Sequence, residues 1–267
     1  MKKVFVILFV LGSTFAFAQS RETRNVETFN KIAFGLPGKA IVTQGSPQKV
    51  ELEGSKEMLE RADVYVEGSK LVIRSKDRWR SWSRDERITV YITVKDINAL
   101  SVSGSGTLEA ITKIITGNLD LKVSGSGSLR ADVDANNVDA SVSGSGSVVL
   151  RGKCNNLESN ISGSGDVEAT VAIANTLDVS ISGSGKLVAS GSANTVKTTI
   201  SGSGRVRAAD LEANKCDVKI AGSGSVEINV KRELNANISG SGSVNYKGNP
   251  NHVNTNSSGS GKVRKVS

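Results

Sequence analysis

Aromatic side chains are scarce, at 4% of 267 residues, and after Tyr91 the chain holds a single one, Tyr246. With 37% hydrophobic residues and so few rings, the core must be built from Val, Leu, Ile and Ala, which argues against an ordinary enzyme core. Histidine is limited to His252, which alone can build neither a zinc site nor a Ser-His-Asp triad; beside Pro250 and Asn251 it reads as part of a solvated turn. Charge of neither sign dominates. The 34 basic and 26 acidic residues leave a formal +8, spread evenly along the chain. The concentrated basic footprint of a nucleic-acid module is missing, so no nucleic-acid partner is expected.

Long apolar runs are also missing once the first residues are passed, so no transmembrane span is expected. Residues 1–18 have a basic start (Lys2, Lys3), an apolar stretch from Val4 to Leu11 and the ending Ala16-Phe17-Ala18. This is the pattern of a cleaved signal peptide, with the mature chain starting at Gln19. No cysteine stands at the cleavage point, which excludes lipidation there. The expected product is exported, to the periplasm or the cell surface, and either soluble or held by a partner.

What the sequence has in abundance is a repeat. Gly-Ser-Gly occurs nine times, beginning at Gly104, Gly125, Gly144, Gly163, Gly183, Gly202, Gly222, Gly240 and Gly259, at intervals of 18 to 21 residues. A period held so closely predicts a solenoid, since a propeller blade needs about 40 residues. Positions two, four and six before the tripeptides are mostly apolar, as in Val142, Ala140 and Val138, and so are most of those four and six after them, as in Val148 and Leu150. Alternation with a period of two on both sides predicts two short strands per coil, with one face inward. Glycine at the tripeptide permits the positive φ of a tight corner. Asn136, Asn155, Asn175, Asn194, Asn214 and Asn251 recur eight residues before a tripeptide. They predict a second corner, with asparagines in the left-handed region and side chains laddered from coil to coil. Arg232 breaks this series and predicts a widened corner. The last coil turns polar inside, with Ser257 and Lys265, as a terminal repeat should. Residues 19–97 have alternating runs between turns and one helical candidate, Lys56–Arg61, and predict a β region capping the solenoid of residues 98–267.

The repeated glycines do not form a phosphate loop, because no copy has the Gly-x-x-x-x-Gly-Lys-Ser/Thr spacing, and the turns lack the internal Asp of calcium-binding nonapeptides. No cofactor is expected. Cys154 and Cys216 lie three coils apart, roughly 14 Å along the rod, beyond the ~7 Å reach of a disulfide. Both read as small core residues, with Cys154 in the column of Ala135, Ala174, Ala193 and Ala213.

Two surface features are candidate sites. Asp120, Asp139, Glu158 and Asp178 stand five residues before successive tripeptides, followed by Lys197 and Asp217. Carboxylates on consecutive coils about 5 Å apart repel, and would attract divalent cations or a basic partner; as a solvated edge they would discourage lateral sheet pairing. The second is the segment from Lys76 to Arg87, where Arg78, Trp79, Arg80, Trp82 and Arg84 combine cations with indoles able to dock on anionic glycan, lipid headgroups or protein. Its alternative role is a hairpin lid over the first coil.

The entry Phe29-Asn30-Lys31-Ile32, the SGSGS corners preceded by L-x-V-x-I runs, the segment SGSVNYKGNP within Ser239 to Pro250 and the final SGSGKV together resemble the autotransporter adhesin head GIN domain family. The resemblance spans about residues 29–250. It implies a single-stranded right-handed parallel β-helix in an exported bacterial protein, with no established biochemical activity and no catalytic residues to carry over. The chain has no translocator barrel of its own, so self-export across an outer membrane is not expected. The expectation is therefore an all-β, non-catalytic protein that binds glycan or protein at the cell envelope or surface. A polysaccharide lyase or hydrolase on the same fold, with the acidic stripe as its candidate site, and a periplasmic scaffold are the alternatives.

Overall fold

The computed structural model describes residues 20–76 and 88–266. The leader and the Arg/Trp segment fall outside the described residues. In chain order the N-terminal elements are β1 (Ser20–Thr23), β2 (Lys31–Phe34), β3 (Lys39–Gln44), β4 (Lys49–Gly54), α1 (Lys56–Arg61), β5 (Ala62–Glu67), β6 (Lys70–Ser75), β7 (Thr89–Val94), β8 (Ala99–Gly104) and β9 (Thr107–Ala110). Long strands follow: β10 (Ile114–Gly125), β11 (Ser128–Gly144), β12 (Ser147–Gly163), β13 (Asp166–Gly183), β14 (Lys186–Gly202), β15 (Arg205–Gly222) and β16 (Ser225–Gly240). The chain closes with β17 (Ser243–Lys247), β18 (His252–Ser258) and β19 (Lys262–Lys265). The result is a parallel β-solenoid.

Every tripeptide is a corner. The first glycine has φ between 86° at Gly104 and 125° at Gly222, a region that side chains avoid. A Cβ on Gly144 would also lie 2.7 Å from the Gly125 carbonyl oxygen, and one on Gly146 would lie 2.4 Å from Val123 Cγ1. Backbone angle therefore requires the first glycine, and the packed Val or Ile of the preceding coil requires the second.

Between corners the inward columns stack in register. Val102, Val123, Val142, Ile161, Ile181, Ile200, Ile220 and Ile238 pair in sequence, none more than 3% exposed. Each coil buries more than the two inward pairs and triplets read from the sequence. Val133 and Ala135, eight and ten residues after Gly125, also face the core.

At the second corner the pairing skips the corner residue, as between Ala135 with Cys154 and Asn137 with Asn156, and no non-glycine residue has positive φ among the described residues. The left-handed asparagines are thus corrected. Asn136 and Asn137 both face outward, so the inward phase jumps from Ala135 to Val138 without a special backbone angle. The expected ladder forms in two separate steps and is not continuous through Asn175. Asn155 donates to Asn136 Oδ1 at 3.3 Å and Asn214 to Asn194 Oδ1 at 3.0 Å. An adjacent row links Asn156, Asn137 and Asn118 at 2.9 and 2.8 Å. Coil-length changes are absorbed here. Cys154 pairs with Ile173, and the register resumes at Asn156 with Thr176, so Ala174 is exposed and Ile173 takes the place expected for it. At Arg232 the corner is wider, with Asn214 facing both Lys231 and Arg232.

In the N-terminal region α1 matches the expected helix. Ser55 caps it, accepting from the Met58 N–H at 3.4 Å, and Met58 and Leu59 enter the core. The surrounding strands continue the parallel stack. β2 and β3 lie between β6 and β7 on one side and β8 and β9 on the other, in parallel register with both. Antiparallel pairing joins β1 to β4, β4 to β7 and β5 to β6, and closes this end.

Two inward positions carry hydroxyls. Ser159 and Thr198 are 0% and 1% exposed and find no partner. Burying an unpaired hydroxyl is costly, so Thr198→Val is expected to stabilise the chain by about 1 kcal/mol and raise Tm by about 2–4 °C. A lower Tm in thermal denaturation would contradict this.

Candidate functional site

The strand leading into each tripeptide presents two outward rows. One residue before it stand Ser103, Ser124, Ser143, Ser162, Ser182 and Ser201, paired coil to coil; three before it stand Ser101, Lys122, Ser141, Asn160, Ser180 and Thr199. Serine is too short to fill the space beside the corner. A furrow of about 560 Å³ therefore runs between the rows along the solenoid axis. A further 340 Å³ shares Thr199 and Ser201 and carries it to Asn256 and Ser258 on the last coil. Among the described residues the hydroxyls of the serines preceding the tripeptides engage no other protein group. They present hydrogen-bonding groups repeated about every 4.8 Å.

Next to this face the structure brings the acidic stripe into line. Asp120, Asp139, Glu158 and Asp178 pair on consecutive coils, and the row continues through Lys197, Asp217 and Asn235. Repulsion along the row is met sideways. Asp139 accepts from Ser141 Oγ at 2.7 Å and Glu158 from Asn160 Nδ2 at 2.9 Å, each donor lying two residues on and facing the same way. Asn235 donates to Asp217 at 2.9 Å and to Glu233 at 3.1 Å. That hydrogen bond and one from Lys215 hold the Glu233 carboxyl below the usual carboxylate range. The stripe is a line and not a cup. Among the described residues no group of three or more His, Cys, Asp or Glu converges to hold a metal ion. Where Lys197 interrupts the carboxylates, a groove of about 480 Å³ opens between Asp178, Lys197, Asp217 and Lys219.

The cysteines are free and buried, as the coil spacing predicts. Burial pushes the Cys154 thiol up to about 11, and burial with Asp217 beside it pushes Cys216 up to about 12. Neither supplies a thiolate nucleophile at neutral pH. His252 is solvated, but it opens strand β18 opposite Glu233 instead of sitting in a turn. The candidate residues Arg78, Trp79, Arg80, Trp82 and Arg84 lie outside the described residues. The furrow was not singled out from the sequence, although its signal is there: a serine precedes the first glycine in eight of the nine tripeptides, with Ala221 the exception.

The coils, their glycine corners and the stacked Val/Ile columns also mark a known family. The model of the family described as "Putative auto-transporter adhesin, head GIN domain" matches residues 28–186 and 170–250. The chain belongs to this family. Several solved structures share its fold over nearly their whole length. A crystal structure titled as a "putative lipid binding protein" from Parabacteroides distasonis is 23% identical, with a TM-score of 0.70 over 93% of this chain and 97% of that one. A "putative adhesin" from the same organism is 22% identical, with a TM-score of 0.71 over 93% and 97% of the two chains. Another from Parabacteroides merdae is 22% identical, with a TM-score of 0.71 over 93% and 96%. No curated protein matches the chain. No helix among the described residues is long and apolar enough to cross a membrane.

Proposed function

We infer that this head GIN domain protein is exported and acts without catalysis, as a binding or adhesin-like element at the cell envelope or surface. The observation that carries the reading is the furrow. An axial row of free hydroxyls, broken at Ala221 and set along a mostly apolar furrow, offers repeated weak contacts to an extended partner, and such contacts in series favour avidity over chemistry. Polar hydroxyl and amide rows fit a glycan, or a protein segment bound through its backbone. The Asp/Glu stripe beside them adds electrostatic selection for cationic groups.

The test is retention of the purified mature chain on isolated envelopes of the producing organism. Placing glutamate on alternate coils along the outward side of the furrow, as S124E/S162E/S201E, keeps the new charges two coils apart and should reduce retention at least tenfold, about 1.4 kcal/mol, with little change in Tm. Equal retention of the variant and the parent would refute the furrow as the contact surface. Protease digestion of intact cells, with a periplasmic protein as control, separates the compartments: cleavage places the chain at the surface and protection places it in the periplasm.

A further inference from the structure

The C-terminal end of the solenoid differs from its sides in charge. No acidic side chain follows Glu233, whereas Lys247, Lys262, Arg264 and Lys265 are all basic. Lys262, Arg264 and Lys265 are exposed on β19. Strands β18 and β19 pair with β16 and β17 on one edge, and among the described residues no strand covers the other. The inward column is left uncovered at this end: Val253 lies below Leu234 and Lys265 below Tyr246, both exposed, while Val263 below Val244 stays partly buried against the core. Four large apolar side chains are conspicuously exposed among the described residues, and two of them, Val253 at 45% and Val266 at 38%, lie in this terminal coil. Lysines on an edge strand suffice to keep another sheet from pairing. They do not account for Val253 and Val266 left open beside the cations.

We propose that this end face is a membrane-contacting foot that docks on anionic phospholipid. The cations meet the phosphate layer, and Val253 and Val266 enter the upper acyl boundary beside them. The argument is charge complementarity together with the open apolar column. It also opposes a second copy docked end to end through the same face, because two such ends carry the same charge. This contact goes beyond the furrow reading and does not depend on it. Docked in this way, the solenoid would stand on the bilayer with its N-terminal cap farthest away.

The experiment is co-sedimentation of the mature chain with phosphatidylglycerol-rich vesicles and with pure phosphatidylcholine vesicles. The parent should bind the anionic vesicles, bind the zwitterionic ones far more weakly, and be released by raised salt. Each cation near an anionic surface is worth roughly fivefold, so K262Q/R264Q/K265Q should bind about a hundredfold more weakly. The control K153Q/K186Q/K231Q removes the same charge from the sides of the solenoid, where these lysines pair with Asp134, Asp166 and Glu212. It should retain binding. Absence of binding by the parent, equal losses in both variants, or pelleting without vesicles would each overturn the proposal. Furrow variants that lose envelope retention but still sediment with vesicles would separate the two contacts.

Discussion

Gly163→Ala is expected to destabilise the protein by about 3 kcal/mol or more, from two sources that act together. The backbone at Gly163 has φ 111°, where an L-residue is strained. Its new Cβ would also lie 2.7 Å from the Gly144 carbonyl oxygen. That oxygen cannot simply withdraw, since it accepts the Ser164 N–H at 2.9 Å in the stack of corners. Relief would require the coils to separate locally, breaking several ladder bonds at once. Gly117→Ala is the control: its Cβ would meet nothing within 4 Å and its φ lies outside the positive range. It should be neutral or stabilising by a few tenths of a kcal/mol, as expected where alanine fits the native backbone. Urea denaturation of the two variants measures the difference. Similar midpoints would mean that the corners are not held by their glycines.

The second large effect is expected at Leu157, which is 1% exposed and stacked between Val138 and Leu177. Leu157→Ala should cost about 2–5 kcal/mol, from lost transfer energy and the cavity left behind. The upper part of that range is favoured because the coils above and below are fixed by backbone pairing and cannot collapse into the gap. Stability in a solenoid is largely a sum over neighbouring coils. Hydrogen exchange should therefore show lost protection centred on β11 to β13, before the ends of the stack respond. Loss spread uniformly over all strands would point instead to a single cooperative unit.

The interior of the repeat was legible because one chemical rule operates along it. Only glycine tolerates the corner, and only alternating apolar residues can line a core one coil wide, so the tripeptide spacing also dictates which carboxylates align in the acidic stripe. The asparagine corner departs from the sequence expectation for a physical reason. A left-handed residue is the usual way to turn a free strand, but here the residues on either side of the corner are held in the ladder of the neighbouring coil, and two successive outward residues turn it more gently. Ala174 was placed in the Cys154 column by counting back from the tripeptide, and the extra residue at the Asn175 corner shifts Ile173 inward instead. The parallel pairing of β2 with β6 and β8 left no trace in the spacing, because the corner there, Gly35-Leu36-Pro37-Gly38, shares no tripeptide with the later coils. The furrow is a shape made by the shortness of serine beside a bend. Its row is visible in the sequence, but its depth is not.

The placement of β2 and β3 inside the stack has a bearing on how the chain matures. Neighbouring coils along the main body join groups close in sequence, as in the Asn155 to Asn136 bond, whose partners are 19 positions apart. The Ser101 hydroxyl instead donates to Ile32 across 69 residues. Loop-closure entropy makes the near contacts quick and the far ones slow. A chain delivered with its N-terminus first thus presents β2 and β3 long before β8 and β9 exist to receive them. Assembly is expected to begin among the glycine-cornered coils and to return to the earliest segment last, so that the first part to emerge is the last to be sheltered.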